Sequence, residues 1–434
     1  MPLPFLATFA EEYFPSQYYL RFILGFSILY ALRSYSQGRK TNRERDLHGR
    51  VVLLTGGFTP TGSTLLEALA KRGAHIIALS PDPIEEPHIN LVVEALRETS
   101  KNRQIFAEHC DLSSTESTKS FCTKFLTGQE TRLDALIFTH EYEHIGPFFA
   151  SEKERADCEV KRAAASDATF LITTLLLPTL LVAPPERDIR IINVVNPFYA
   201  AAVPLFPKAP NRKGSQLVLE GFRALRSVVL TRHWQRVFDA LPAAPAPDAD
   251  APSAETTISA SKQQKSNIVA VSVSPGFSRA DTIAPLLRAK RGPRFSPRGF
   301  ILYLLMLPVL YIFAKSASSA IEPILHALFV PTPFKQKVTV GKDTKGPLED
   351  SSPEEVLKPG ALYSNCSVVL LGIKVPEAAK KKDDKDAVVD DKEYGGEELG
   401  RMVWESYEES LKARGEGVSQ VGVEEKGDSK KKDS

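Results

Sequence analysis

Three stretches of the sequence hold residue types at spacings that could do chemistry. His140, Glu141 and His144 in FTHEYEHIG match H-E-x-x-H. On a helix that spacing turns two imidazoles toward one zinc ion and sets the glutamate beside the metal-bound water. The turn TGGFTPTG, residues 55–62, is rich in glycine. A nucleotide pyrophosphate needs backbone N–H groups and a helix N-terminus at such a turn, with no side chains in the way. Tyr311 and Lys315 form the chain's single Y-x-x-x-K. A lysine four residues on can lower a tyrosine's pKa and ready it for proton transfer. Which of these is a site depends on the elements that position them.

From residue 50 onward the apolar pattern alternates between two periods. RVVLLTGG is a short apolar run entering a tight turn, and STLLEALAKRG has helical periodicity and stops at Gly73. The alternation continues through the strands AHIIALS, RQIFAEHCDLS, LDALIFTH, IRIINVVN and NIVAVSVSPG. Between them run the helices INLVVEALRETS, TESTKSFCTKFLTG, VKRAAASDATFLITTLLLPTLL and GSQLVLEGFRALRSVVLTRHWQRVF. Six strands alternating with helices predict the α/β class, a Rossmann-like doubly wound parallel sheet.

In that frame residues 55–62 join the first strand to the first helix, as a phosphate turn would. His140 follows the fourth strand directly, and Gly146-Pro147 leave little room for a helix. The zinc pattern therefore reads as a strand-end loop, and it lacks a clear third ligand downstream. No metal is expected.

Bulk properties narrow the classes further. With 43% hydrophobic residues in 434, a substantial core can form. A formal net charge of +2 gives no reason to expect nucleic acid. Cys110, Cys122, Cys158 and Cys366 are scattered without paired spacing, which fits a reducing compartment.

The expected organisation has three parts: a membrane-anchor segment over 1–45, a Rossmann-like domain over 46–375, and a charged, largely disordered tail over 376–434 with one helix, EELGRMVWESYEESLKA. The apolar run from Phe22 to Leu32, bracketed by Arg21 and Arg33, is eleven residues long. As a helix it spans about 17 Å against a hydrocarbon core of about 30 Å. It reaches membrane length only if Arg21 snorkels and residues 14–20 join in; otherwise it is a surface amphipathic helix.

Basic residues follow it, so positive-inside bias places the domain in the cytosol. The endoplasmic reticulum, lipid droplets and the mitochondrial outer membrane all fit. Residues 240–266, rich in Ala, Pro and Ser, read as a disordered insertion. Residues 299–314 are the most apolar stretch, either a buried core helix or a helix dipping into a membrane. Membrane lipid is the expected partner, with a protein partner as a further option through the tail.

These residues in this order resemble the short-chain dehydrogenase/reductase superfamily, on its retinol-dehydrogenase-like side, and also an uncharacterised fungal group of that kind. The similarity runs from about residue 50 to 369, apart from the insertion. The resemblance implies NAD(P) as cofactor. Thr55, Gly56, Gly57 and Gly62 fall on the family's phosphate turn, with Pro60 replacing its middle glycine. Asp111 matches the aspartate that contacts adenine. Pro275 and Gly276 match the Pro-Gly after strand six, Thr282 matches the cofactor-contacting threonine, and GALYSNC resembles a C-terminal segment of the retinol-dehydrogenase branch.

The family's catalytic residues are missing from the matching positions. Asn196 stands at the serine, Arg212 at the tyrosine, Gln216 at the lysine and Ala165 at the asparagine. Arginine cannot act as a general acid near neutral pH, and glutamine cannot lower a neighbour's pKa by charge. FTHE replaces the family's N-N-A-G after strand four. Tyr311 and Lys315 lie after the Pro-Gly, where the family does not place its pair. The expectation is a membrane-associated protein with this fold and no catalytic residues of the family's kind, acting as a scaffold or nucleotide sensor. The alternative is a divergent NAD(P)-dependent oxidoreductase of lipid-like carbonyls or alcohols.

Overall fold

The structure, a computed structural model, describes residues 19–128, 132–143, 145–148, 150–184, 187–206, 215–241, 266–290, 295–333, 355–371 and 394–429, the side chains of the last segment as far as residue 414. Most of the expected insertion, 242–265, lies outside the described residues, as do residues 372–393 of the tail.

The six expected strands form. They are β1 Val51–Thr55, β2 His75–Ser80, β3 Ile105–His109, β4 Ala135–Phe138, β5 Ile189–Val194 and β6 Ile268–Ser274. Two short strands follow, β7 Leu362–Ser364 and β8 Ser367–Val369. The sheet order is β3-β2-β1-β4-β5-β6-β7-β8. All pairs are parallel except β7 with β8. Strands β1, β4, β5 and β6 are buried along their whole length because helices cover both faces, which is why they read as continuous apolar runs rather than alternating ones.

The main helices are α1 Tyr19–Gln37, α2 Pro60–Ala70, α3 Pro87–Ser100, α4 Thr115–Thr127, α5 Glu152–Val182, α6 Gln216–Ala240, α7 Pro297–Phe313, α8 Glu322–Phe329 and α9 Gly396–Ser429. One apolar cluster packs α2 and α8 against the sheet; the other packs α4, α5, α6 and α9 against the opposite face. Helix α5 starts well before the expected stretch. A capping box explains its start: Ser151 accepts from the Glu154 N–H, and the Glu154 carboxylate accepts from the Ser151 N–H.

Two expectations change. The hairpin β7–β8 and helix α8 were not anticipated, since three-residue strands carry no readable period. The tail is less irregular than expected: α9 spans 34 residues, and its first part docks on the domain. Trp404 packs edge-on against Phe170 and Trp234 at ring-centroid distances of 4.9 and 4.7 Å. Tyr407 stacks on Phe170, with Arg226 over its other side. Arg414 and Ser410 reach Asp167. The Tyr407 hydroxyl pairs with Ser166 Oγ at 3.1 Å, and burial pushes its pKa up to about 12.

The surface carries two apolar helices. α1 has no buried residue. α7 buries only Gly299 and Leu310, so it is not the core helix that was one of two readings of residues 299–314. Among the described residues one helix is long and apolar enough to cross a membrane, α5, and 61% of its apolar stretch is buried inside the domain; it is a core helix here.

If α9 is docked as described, Trp404→Ala lowers the unfolding free energy by about 2 kcal/mol, a partly buried aromatic being worth less than a core one. Tyr407→Phe lowers it by about 1 kcal/mol for one hydrogen bond. Denaturant unfolding followed by tryptophan fluorescence measures both.

Candidate functional site

The order of strands reverses between β1 and β4, so the crevice for a ligand opens beyond their C-terminal ends. The turn after β1 and the loop after β4 meet there. Gly56 takes φ +67°, and a Cβ on it would lie 2.7 Å from Thr139 Oγ1 and 2.9 Å from the His140 nitrogen. Thr139 donates its hydroxyl to the Thr55 carbonyl at 2.6 Å. Gly62 lets α2 approach the turn, since its Cβ would fall 2.1 Å from the Gly56 oxygen. Glycine is needed at both positions for these close approaches.

His140 fills the space beyond. It is 2% exposed. Its Nε2 lies 2.9 Å from the Ala165 carbonyl oxygen, which only accepts, so Nε2 carries the proton. Nδ1 then accepts from the Thr55 hydroxyl at 2.8 Å. Burial lowers its pKa from the usual imidazole range, in keeping with a neutral ring. Glu141 accepts from Ser166 Oγ at 2.8 Å, and Ser166 touches Tyr407 of α9. Residues 140–143 form one helical turn, and His144 lies outside the described residues. Both ring nitrogens of His140 and a Glu141 oxygen are thus engaged with the protein rather than converging on a metal. Among the described residues no group of three or more His, Cys, Asp or Glu could hold a metal ion.

The described residues that the resemblance sets against the family's catalytic positions are equally inward-looking. Asn196 is 2% exposed and its Oδ1 accepts from the Phe198 N–H at 3.1 Å. Ala165 contributes the carbonyl that His140 uses. Arg212 lies outside the described residues. Gln216, the first residue of α6, donates Nε2 to Glu220 at 3.2 Å. Glu220 is fully buried; it also accepts from the Gly146 N–H at 2.9 Å, from Arg162, and from Arg223 at 3.3 Å. An apolar cluster of Ile145, Phe198 and Leu286, with Phe148 and Leu217 against it, closes the neighbouring space. Tyr311 lies on the exposed face of α7 under the Arg33 guanidinium, while Lys315 meets Asn365. The two do not form a proton relay in the crevice.

The residues expected on the cofactor side hold protein partners. Asp111 accepts from the Ser113 hydroxyl at 2.7 and 2.9 Å. Gly276, at φ +97°, accepts at its carbonyl from the Tyr142 hydroxyl at 2.8 Å. Thr282 is fully buried and its hydroxyl accepts from the Ser278 N–H. The turn itself holds a residue that sequence reasoning missed: the Asp281 carboxylate accepts from the Thr61 N–H at 3.3 Å and from the Thr61 hydroxyl. Nothing local marked Asp281, which is brought to α2 only by the path of the chain after β6. Glu220 was missed too, though it stands beside the glycine in LEGF.

Comparison with known proteins agrees with this frame. No family model matches the chain. An uncharacterized oxidoreductase of Saccharomyces cerevisiae is 27% identical over 340 residues, 73% of this chain and 75% of the relative. An uncharacterized oxidoreductase of Schizosaccharomyces pombe is 27% identical over 44% of this chain and 52% of the relative. Human retinol dehydrogenase 12 is 27% identical over 48% of this chain and 64% of its own length.

The chain is a relative of the short-chain dehydrogenase/reductase superfamily. It stands on the retinol-dehydrogenase-like side, and its match spans about half the length of the fission-yeast relative. Among solved structures, a short chain dehydrogenase from Pseudomonas syringae is 17% identical with a TM-score of 0.42, covering 64% of this chain and 98% of that one. An NADPH-bound short chain oxidoreductase from Pseudomonas aeruginosa with an atypical catalytic center is 13% identical with a TM-score of 0.43, covering 65% and 90%.

In this short-chain-dehydrogenase-like chain His140 has the role of a buried strut. Its folded-state pKa lies below its unfolded value of about 6.5. Its contribution to stability is therefore full above pH 6.5 and is lost as pH falls below that toward the depressed value. Burial lowers His233 and His326 in the same direction, so the histidine contributions all fall away on the acid side. His140→Gln removes its share: stability at pH 7.5 drops by about 1–3 kcal/mol from unsatisfied buried groups, and the slope between pH 6.5 and 5 becomes shallower. Denaturant unfolding at a series of pH values reads both, and an unchanged slope contradicts this role.

Proposed function

We propose that this protein is a membrane-surface member of the short-chain-dehydrogenase-like group that does not run the family's hydride-transfer chemistry and serves as a scaffold or nucleotide sensor. The observation that carries the reading is Gln216. Where the chemistry needs an ammonium beside a tyrosine hydroxyl, the chain has an amide bonded to Glu220. Asn196, at the place of the orienting serine, is bonded to the backbone of Phe198. Neither group can lower a phenol's pKa or accept its proton. NAD(P) is the ligand class that the fold and its relatives suggest. The turn and strand ends that it would meet are held by Asp281 and His140.

A second reading has support of its own. The retinol dehydrogenase relatives and the apolar α7, which returns to the chain beside Phe277 and Gly276 through Lys315, favour a divergent oxidoreductase of lipid-like carbonyls or alcohols. One experiment separates the two. The purified full chain is titrated with NADH and NADPH while nicotinamide fluorescence is followed, and then given panels of ketones, aldehydes and retinol. The proposed reading expects no turnover, and turnover above a heat-inactivated control sinks it.

Membrane contact is supported by the surface helices. Leu305 is 76% exposed and Phe26 73%, and residues 299–314 carry no charge. Arg33 of α1 donates to the Tyr311 carbonyl and lies 3.8 Å from the centre of the Tyr311 ring. Gln37 Nε2 donates to the Ala314 carbonyl at 3.2 Å. These bonds join the two apolar helices into one patch. A helix the length of α7, about 25 Å, with its start and its Leu310 packed on the domain suits lying in one leaflet rather than crossing two. With Leu304→Glu and Leu305→Glu together, flotation with phosphatidylcholine–phosphatidylserine vesicles falls at least tenfold; undiminished flotation rules the patch out as the contact.

A further inference from the structure

The N-terminus of α2 leaves almost no donor for a ligand. A helix begins with four N–H groups that lack partners within it. Here the first belongs to Pro60 and does not exist. The second, on Thr61, is bonded to Asp281 Oδ1. The third, on Gly62, is bonded to the Thr59 hydroxyl at 2.9 Å. The fourth, on the cap residue Thr59 itself, is bonded to the Gly56 carbonyl at 3.3 Å.

Asp281 is a negative group with no exposed surface, set at the positive end of the helix that a dinucleotide's pyrophosphate would otherwise use. Thr61 also gives it a hydroxyl hydrogen bond, and Ser278 a second one at 3.0 Å. Across the crevice His140 and Thr139 hold the turn from the β4 side, independently of Asp281.

We infer that Asp281 is a built-in anion that latches the phosphate turn shut, so that a nucleotide diphosphate binds only by displacing Asp281 and its segment. The inference rests on reading residues 55–62 as the nucleotide side of the crevice. The segment is built to be released as a unit. It is a π-helical turn, Arg279–Ile283, followed by the single turn Ala284–Leu286, and such turns are less stable than α-helix of equal length. It is also tied to the exposed apolar helix. Lys315, two residues beyond the end of α7, donates its N–H to the Phe277 carbonyl at 2.8 Å and accepts at its own carbonyl from the Arg279 N–H at 3.3 Å. Displacing Asp281 therefore pulls on the base of α7, which couples the nucleotide side of the crevice to the apolar surface.

The test uses the full chain with NADPH and ADP as probes, and dissociation constants from calorimetry. Asp281→Asn removes the charge while keeping a similar side-chain shape. It binds both probes at least tenfold more tightly than the wild type. Thr61→Val, which removes one of the latch's hydrogen bonds and leaves the carboxylate, shifts both in the same direction; it carries the test alone if Asp281→Asn fails to fold. NADPH also speeds backbone hydrogen exchange across 278–286 in the wild type or, where that binds too weakly to saturate, in the variant. A folded Asp281→Asn that binds neither probe more tightly overturns the latch. Turnover of a carbonyl substrate is a separate readout. It would overturn the non-catalytic reading without altering the affinity ratio between variants, which alone decides the latch.

Discussion

The contact between the turn after β1 and the loop after β4 is the constraint on which the rest of the site depends. Parallel pairing of these two strands brings their C-terminal ends side by side. Gly56 can then sit with φ +67° against Thr139 and His140 only because it has no side chain. Once that approach is made, the Thr55 hydroxyl and the Ala165 carbonyl form a fixed cradle for a neutral imidazole. A smaller residue in place of His140 would leave the buried Thr55 hydroxyl without this partner. An ionised ring would carry a charge into a buried site. The two loops and α5 are thus joined by the protein's own hydrogen bonds.

The same pattern of inward satisfaction extends to the buried charges. Glu220, Arg162 and Arg223 form an ion cluster around the Gly146 N–H, with Gln216 as a neutral member. A buried carboxylate is tolerable only with several donors, and this one has donors from a loop and from two helices. On the far side of the sheet, Asp188 serves Arg190 and Arg45 in the same way. Such networks are demanding on geometry, and they hold α5, α6 and the loop before α5 in one arrangement.

The periphery obeys a different rule. α9 uses aromatic rings to cover α5 and α6, where Phe170 and Trp234 would otherwise expose apolar surface. Tyr407 carries that contact inward through Ser166 to Glu141, so the tail helix and the loop after β4 share one hydrogen-bonded chain. Among the described residues α1 and α7 have no such cover. Their side chains face outward without a partner layer, which is stable in water only at the expense of the hydrophobic effect. The covered face and the uncovered face are therefore distinct in kind, one completed by the chain itself and the other left for a surrounding.

The fold was legible in the sequence because its signal is periodic and local. Each of the six strands is a short apolar run and each main helix has an apolar stripe, so alternation alone pointed to a doubly wound sheet. Thr55, Gly56, Gly62 and Pro275-Gly276 could be placed for the same reason: they sit at strand ends, and strand ends are readable. The residue types at positions 165, 196 and 216, which the resemblance sets against the family's catalytic ones, were legible too, since they need only residue identity. What the sequence could not show was where side chains go once the strands pair. H-E-x-x-H looks like a zinc site in one dimension, yet chain direction turns His140 onto Thr55 and Ala165. Asp281 lies 220 residues from Thr61, and no local pattern predicts that they meet. Residue type determined that no tyrosine–lysine pair stands at positions 212 and 216. Only the tertiary structure decided what fills its place, because hydrogen-bond partners so far apart in sequence are chosen by packing.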